Sequence, residues 1–177
     1  MLKKTILEMG RDTLQSYRVK KKIPLTIVLD NVRSLNNIGS IFRTSDAFRV
    51  ERIILCGITA TPPSPEIHKT ALGAEDSVAW EYRADTLEAV RALKEEGYTV
   101  CALELARGSV SLEKYQVDPA ARYAVVAGHE VEGVRQDVVD AADVSLEIPQ
   151  EDTKHSLNVA VSSALAIWHF FLRLRAN

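Results

Sequence analysis

Apolar positions fall into short runs separated by longer amphipathic stretches. Residues 25–29, 52–56, 77–82, 98–103, 123–127 and 144–148 are compact runs rich in branched and aromatic side chains, and each predicts a strand. Between them the apolar residues recur at helical spacing. Residues 2–19 carry Leu2, Ile6, Met9 and Leu14 at that spacing and predict an amphipathic helix, ended by Lys20-Lys21-Lys22 and Pro24. Residues 37–48 place Ile38, Ile41, Phe42, Ser45 and Phe48 on one face, and residues 85–96 form a helix stopped by Gly97. The proline-rich stretch 61–65 is read as a loop. Near-continuous apolar strands alternating with helices predict an α/β fold, a parallel sheet with helices on both faces.

The C-terminal stretch 148–168 is the most distinctive. Ile148-Pro149 leads into a polar loop, 150–155, and Ser156-Leu157-Asn158 then opens a long apolar helix. Leu157, Val161, Ala164, Leu165, Trp168 and Leu172 form one stripe. Val159, Ala160, Ala166, Ile167 and Phe170 cover much of the remainder, so the helix is expected to be buried on more than one side. Polar residues and the nearby His169 and Arg173 argue against a membrane span.

The length, 177 residues, suits one domain, here 25–177, preceded by a basic helix or extension, 1–24. The first residues lack the apolar core of a signal peptide, and Cys56 and Cys101 lie in predicted strands, where they are expected to be reduced and inert. Both features suggest a cytoplasmic protein. The net charge of −2 conceals an asymmetry. Residues 1–50 hold ten of the 22 Lys and Arg but four of the 24 acids, a net +6 against −8 for the remainder. A basic end on an acidic body suits either a phosphate-binding face or a solvated helix, and charge alone leaves both open.

Ligands of parallel sheets sit beyond the carboxyl ends of the strands. Three polar loops are expected there, 30–39, 128–133 and 150–158. None is a GxxxxGK(S/T) phosphate loop or a GxGxxG dinucleotide turn. His68, His129, His155 and His169 have no paired metal-ligand spacing, so no metal is assigned.

In order, Asn-Asn-Ile-Gly-Ser-Ile-Phe-Arg-Thr (36–44), Val-Ala-Gly-His-Glu-Val-Glu-Gly-Val (126–134) and Ile-Pro followed by Ser-Leu-Asn-Val (148–149, 156–159) resemble the three motifs of the SpoU/TrmH class of RNA ribose 2′-O-methyltransferases, in the SPOUT superfamily. The resemblance runs from Leu25 to Leu172. Gln150 and Asp152 stand where the class often has Met and Gly, and His129 where it often has a small residue.

The resemblance implies a deep C-terminal trefoil knot at about 123–168, S-adenosylmethionine as cofactor, a homodimer, and tRNA or rRNA as partner. It implies that Arg43, Asn37, Glu130, Ser156 and Asn158 carry the chemistry. Ala127, Gly128, His129, Ile148, Ser156, Leu157 and Asn158 would hold the cofactor, with Gly128 allowing its close approach. Arg43 is matched to a proposed base of the class, yet an arginine keeps its proton at ordinary pH, so phosphate binding or electrostatic help to the hydroxyl suits it better. Glu130 would hold Asn37, Arg43 or the RNA side.

Each residue also has a plain structural reading. Ser156 and Asn37 are candidate helix N-caps, Arg43 a solvated charge, Glu130 a turn residue. Two rival functions stand beside the enzyme: a non-catalytic RNA-binding module on the same fold, and a binder of another nucleotide with 128–133 as an anion loop.

Overall fold

The computed structural model describes residues 1–5, 8, 10, 12–151 and 156–175. In chain order the helices are α1 (Leu14–Val19), α2 (Leu35–Ala47), α3 (Pro65–Ala71), α4 (Ala74–Ser77), α5 (Thr86–Glu95), α6 (Gln136–Ala141) and α7 (Val159–Leu174). The strands are β1 (Ile23–Asp30), β2 (Val50–Cys56), β3 (Ala79–Arg83), β4 (Tyr98–Leu103), β5 (Val110–Ser111), β6 (Arg122–Ala127) and β7 (Val144–Glu147). All seven strands form one parallel sheet in the order β3-β2-β1-β6-β4-β7-β5.

Alternation along each central strand feeds two cores. Ile27, Leu29, Ile53, Leu55 and Val125 face α2, α3 and α7, meeting Ile38, Ile41, Phe42, Ile67, Ile167 and Phe170. Val28, Ile54, Cys56, Val100 and Val126 face the opposite way, toward Ala89, Val90, Leu93 and Val138 of α5 and α6. Strands covered on both sides must be apolar at every position, which is why their sequences read as continuous runs. Both cysteines are free and buried, and burial pushes each thiol up to about 12, so neither is a ready nucleophile.

Several boundaries differ from the sequence reading. The first helix is confined to Leu14–Val19: Gly10 takes a left-handed φ of 55°, residues 1–5 are not helical, and Thr13 Oγ1 caps the helix by accepting from Ser16 N. Ile6 and Met9 lie outside the described residues. The short helix docks through buried Tyr17, whose hydroxyl donates to the Asp46 carbonyl at 3.0 Å. β1 starts before Pro24, and its register against β2 shifts between Ile23 and Thr26, where the proline cannot donate. Pro65 opens α3 at the first helical turn, a position where its missing N–H has no intrahelical partner to lose, with Ser64 as cap. Residues 77–78 close α4 and precede β3.

The C-terminal helix needs the largest correction. Asn158, not Ser156, is its N-cap, and Leu157 precedes it. Its buried face is Val159, Ser163, Ala166, Ile167, Phe170 and Leu174. The stripe that includes Val161, Leu165 and Trp168 faces outward in the single chain, at 48%, 43% and 45% exposure.

Candidate functional site

The strand order reverses direction at β1 and β6, and the loops leaving their carboxyl ends face each other across that junction. The loop after β1 is anchored before it reaches the site. Asp30 is fully buried, and its carboxylate accepts from Thr86 Oγ1 at 2.6 Å, Asn31 Nδ2 at 2.8 Å and Arg135 N at 2.9 Å. Asn31 takes a left-handed φ of 57° and accepts from Ile58 N through Oδ1. Val32 N donates to Thr59 Oγ1 at 3.0 Å.

The next residues turn to Glu130, in the loop after β6. Its carboxylate accepts from Arg33 N at 3.0 Å, Ser34 N at 2.9 Å and Asn37 Nδ2 at 3.1 Å. Burial works to raise the Glu130 pKa, but the hydrogen bonds from the Arg33 and Ser34 amides and the Asn37 side chain outweigh it and hold the carboxyl below its ordinary range. Ser34, rather than Asn37, caps α2, accepting from Asn37 N at 3.3 Å. That frees the Asn37 side chain. Its Oδ1 accepts from Asn158 Nδ2 at 3.1 Å, and Asn158 Oδ1 accepts from Ala160 N and Val161 N.

The polarity of this relay is fixed at both ends. A carboxylate can only accept, and the first amides of α7 can only donate, so each asparagine has one orientation that satisfies every group. The structure therefore brings together Glu130 from the turn after β6, Asn37 from the first turn of α2 and Asn158 at the N-cap of α7.

The turn 128–133 closes tightly on itself. His129 and Gly133 exchange backbone hydrogen bonds at 3.0 and 2.9 Å, and His129 Nδ1 accepts from Val131 N and Glu132 N. A neutral His129 ring thus carries its proton on Nε2. A Cβ on Gly128 would overlap the backbone of Gly133 and Val134. The glycine is required by its own turn, a reason the motif alone did not disclose. Ala127 is buried in the core. Beside this turn lies a cleft of about 790 Å³, bordered by Gly128, His129, Ile148, Ser156 and Leu157. Leu103, Leu105, Leu146 and Val159 give it apolar walls, and Glu104, Glu130, Glu132, Glu147 and Glu151 line it with carboxylates.

Glu104 was missed by sequence reasoning. It accepts from Val134 N at 2.9 Å and Leu105 N at 3.0 Å, and so fixes the turn from the end of β4. The available signal was positional: Glu104 is the first charged residue at the end of an apolar run, as Asp30 is at the end of β1.

A second, shallower hollow of about 630 Å³ lies between α2 and α7, lined by Asn37, Ser40, Phe48, Asn158, Val161, Leu165 and Trp168, among others. The two asparagines thus stand at its boundary with the relay. Phe48 packs against Trp168 and Phe171 with ring centroids 5.3 and 5.0 Å apart. Arg43 is not joined to Glu130. It is exposed on α2 and makes no hydrogen bond or ion pair among the described residues. His155 and Asp152 lie outside the described residues. Among the described residues, no three His, Cys, Asp or Glu side chains cluster to hold a metal, and no helix is long and apolar enough to cross a membrane.

Known proteins resemble this chain in sequence and fold. The chain is 26% identical over 161 residues to a 23S rRNA (guanosine-2′-O-)-methyltransferase RlmB of Vibrio vulnificus, covering 91% of this chain and 64% of the relative. It is 30% identical over 161 residues to a tRNA (guanosine(18)-2′-O)-methyltransferase of Thermus thermophilus, covering 91% of this chain and 81% of the relative. The structure of an AdoMet-bound rRNA methyltransferase from Sinorhizobium meliloti superposes with a TM-score of 0.79 at 28% identity, over 87% of this chain and 58% of that one. The chain therefore spans less than two thirds of some relatives and about four fifths of others. Residues 24–168 match the model of the SpoU rRNA Methylase family, and the chain belongs to that family.

Proposed function

We propose that the chain is an S-adenosylmethionine-dependent methyltransferase acting on a ribose 2′-hydroxyl of tRNA or rRNA. The observation that carries the reading is the Glu130–Asn37–Asn158 relay, which ties the turn after β6 to the N-terminal ends of α2 and α7 beside one cleft. The names of the relatives point the same way.

The cleft fits the cofactor chemically. Its apolar walls suit adenine, and its carboxylates complement the cationic methionine end. Backbone at Gly128, Ile148 and Leu157, with Ser156 at the rim, would hold the molecule, with His129 and Glu104 fixing the turn beneath it. When bound, S-adenosylmethionine supplies an activated methyl group, so the chain's task is to place the ribose oxygen and ease the loss of its proton. Asn37 and Asn158, at the edge of the hollow between α2 and α7, would meet the ribose, and Glu130 keeps Asn37 fixed. Arg43, with no partner among the described residues, offers a planar cation to the neighbouring phosphate or to the developing alkoxide.

The finer architecture belongs to the same proposal. We read a trefoil knot in the C-terminal part, supported by β6 lying between β1 and β4 while α7 returns to the segment after β5, where His169 Nε2 meets the Tyr115 carbonyl at 3.1 Å. A homodimer through the exposed Val161, Leu165 and Trp168 stripe would cover that face. The basic residues of 1–24 would add RNA affinity, in a cytoplasmic protein.

The test is methyl transfer. The purified chain is incubated with methyl-labelled S-adenosylmethionine and total tRNA or rRNA from a deletion strain, and the digested RNA is scored for 2′-O-methyl nucleosides. Label in 2′-O-methylated products is expected; cofactor binding with no transfer to any RNA would favour the non-catalytic module instead.

A further inference from the structure

Away from the relay, β3 is an edge strand bonded on one side only, to β2. Its register places Trp80 opposite Ile53 and Tyr82 opposite Leu55, so both aromatics point to the same face of the sheet. Both are exposed, Tyr82 at 49%. The other described tyrosines are buried or half-buried, so Tyr82 is the exception. Its ring is nevertheless held: the hydroxyl donates to the Gly57 carbonyl at 3.0 Å, just past the end of β2. The next residue, Ile58, is 65% exposed, and its N–H is fixed by Asn31 Oδ1 at 3.1 Å.

These bonds make a continuous rigid path. Tyr82 is tied to Gly57, Ile58 to Asn31, Val32 to Thr59, and Arg33 to Glu130. The carboxyl ends of β1, β2 and β3 are in register at Asp30, Cys56 and Arg83, so Tyr82 lies about 10 Å, two strand spacings, from the loop that bears Arg33. Arg33 is exposed, and its guanidinium makes no hydrogen bond or ion pair among the described residues. Arg83 is paired with Glu81 only at the surface, at 3.2 Å, a contact worth little to either partner.

We infer that Tyr82, flanked by Ile58, is a stacking platform for an unpaired base of the RNA a few nucleotides from the methylated one, with Arg33 on the backbone between them. The inference rests on the proposed RNA substrate. An immobilised ring on a surface with free guanidinium charge is what single-stranded nucleic acid recognition needs: the ring accepts any base face and the cation follows the backbone. A protein partner would instead be expected to use the open edge of β3 or a broad apolar patch, and it would have no use for the unpaired Arg33.

The experiment measures binding of a fluorescent, mixed-sequence single-stranded 12-mer RNA to the full chain across a salt series. Tyr82→Ala is expected to weaken binding about ten-fold or more with an unchanged salt slope, because stacking releases no counterion. Tyr82→Phe keeps the ring but loses the bond to the Gly57 carbonyl, and should bind between the unmodified chain and Tyr82→Ala. Arg33→Ala should reduce the salt slope by about one. S-adenosylmethionine affinity should be the same in all three. Wild-type affinity in Tyr82→Ala, or an equal loss in Tyr82→Phe, overturns the platform. If the unmodified chain methylates RNA while Tyr82→Ala binds and reacts normally, this inference alone fails. If the unmodified chain neither holds nor methylates RNA, the underlying substrate reading fails with it.

Discussion

Asn158 donates from Nδ2 to Oδ1 of Asn37 at 3.1 Å, across 121 residues of chain, while its own Oδ1 caps α7. The two jobs can be separated by substitution. Asn158→Ala removes both and should cost about 1 kcal/mol of stability through the lost cap, with weaker cofactor binding and slower turnover. Asn158→Asp keeps an oxygen for the cap but turns an acceptor toward Asn37 Oδ1. It should therefore denature like the unmodified chain yet lose at least about ten-fold in turnover. Urea denaturation and single-turnover methylation, run on both variants, test this.

Glu130 carries the acid sensitivity of the relay. Its lowered pKa means that the folded state favours the carboxylate. The contribution is fully present above the ordinary glutamate range, near ~4.3, and is lost as pH falls through the lowered folded value. Glu130→Gln has no such term, so its stability should lie below that of the unmodified chain at neutral pH and converge on it in acid. Denaturation midpoints measured from pH 7 down to pH 3 should show the two curves closing.

Arg43→Ala is expected to reduce methylation about 10²–10³-fold, the scale of losing a charge-assisted contact in the transition state. Arg43 contacts neither the cleft nor the relay, so calorimetric S-adenosylmethionine affinity should be unchanged. Arg43→Lys should recover little, because a point charge does not reproduce a planar fork. Full activity in Arg43→Ala would remove this residue from the site.

Trp168→Glu places a charge in the middle of the exposed stripe on α7. Sedimentation should change from dimer to monomer, since a buried unpaired carboxylate is costly at an apolar interface. A monomeric unmodified chain would refute the proposed interface.

Gly39 makes a separate test of the first motif. Alanine in a helix interior ordinarily gains about 1 kcal/mol over glycine. Here the added Cβ would overlap Thr70 Oγ1 and the Ile67 carbonyl of α3, and the backbone carbonyl cannot swing away. Overpacking, about 1–3 kcal/mol, should win, so Gly39→Ala is expected to lower the urea midpoint.

Six of the seven strands were legible, the central ones because strands covered on both sides leave an unbroken apolar record, as in 25–29 and 123–127, whereas the two-residue edge strand β5 leaves none and was missed. The short helices α3, α4 and α6, of four to seven residues, were not, since so few turns do not establish a period. The three polar loops could be found from strand exits, but cap assignments could not. Ser34 and Asn37 compete for one helix end, as do Ser156 and Asn158 for another, and tertiary partners decided both. For α7, apolar on several faces, the sequence contains no mark of which stripe faces inward. The reason for Gly128 was equally hidden, because the atoms that exclude a side chain belong to backbone five and six residues later.

The tether from Glu130 to Arg33 spans 97 residues and constrains the order in which the molecule becomes competent during synthesis. On the ribosome, β1, α2 and β2 emerge early and can pair at once. The loop between β1 and α2 still lacks the carboxylate that shapes it until the turn after β6 has left the tunnel. At about 5–20 residues per second, that gap lasts roughly 5–20 s. A nascent chain therefore displays its basic first 50 residues well before the loop beside them has taken its final shape.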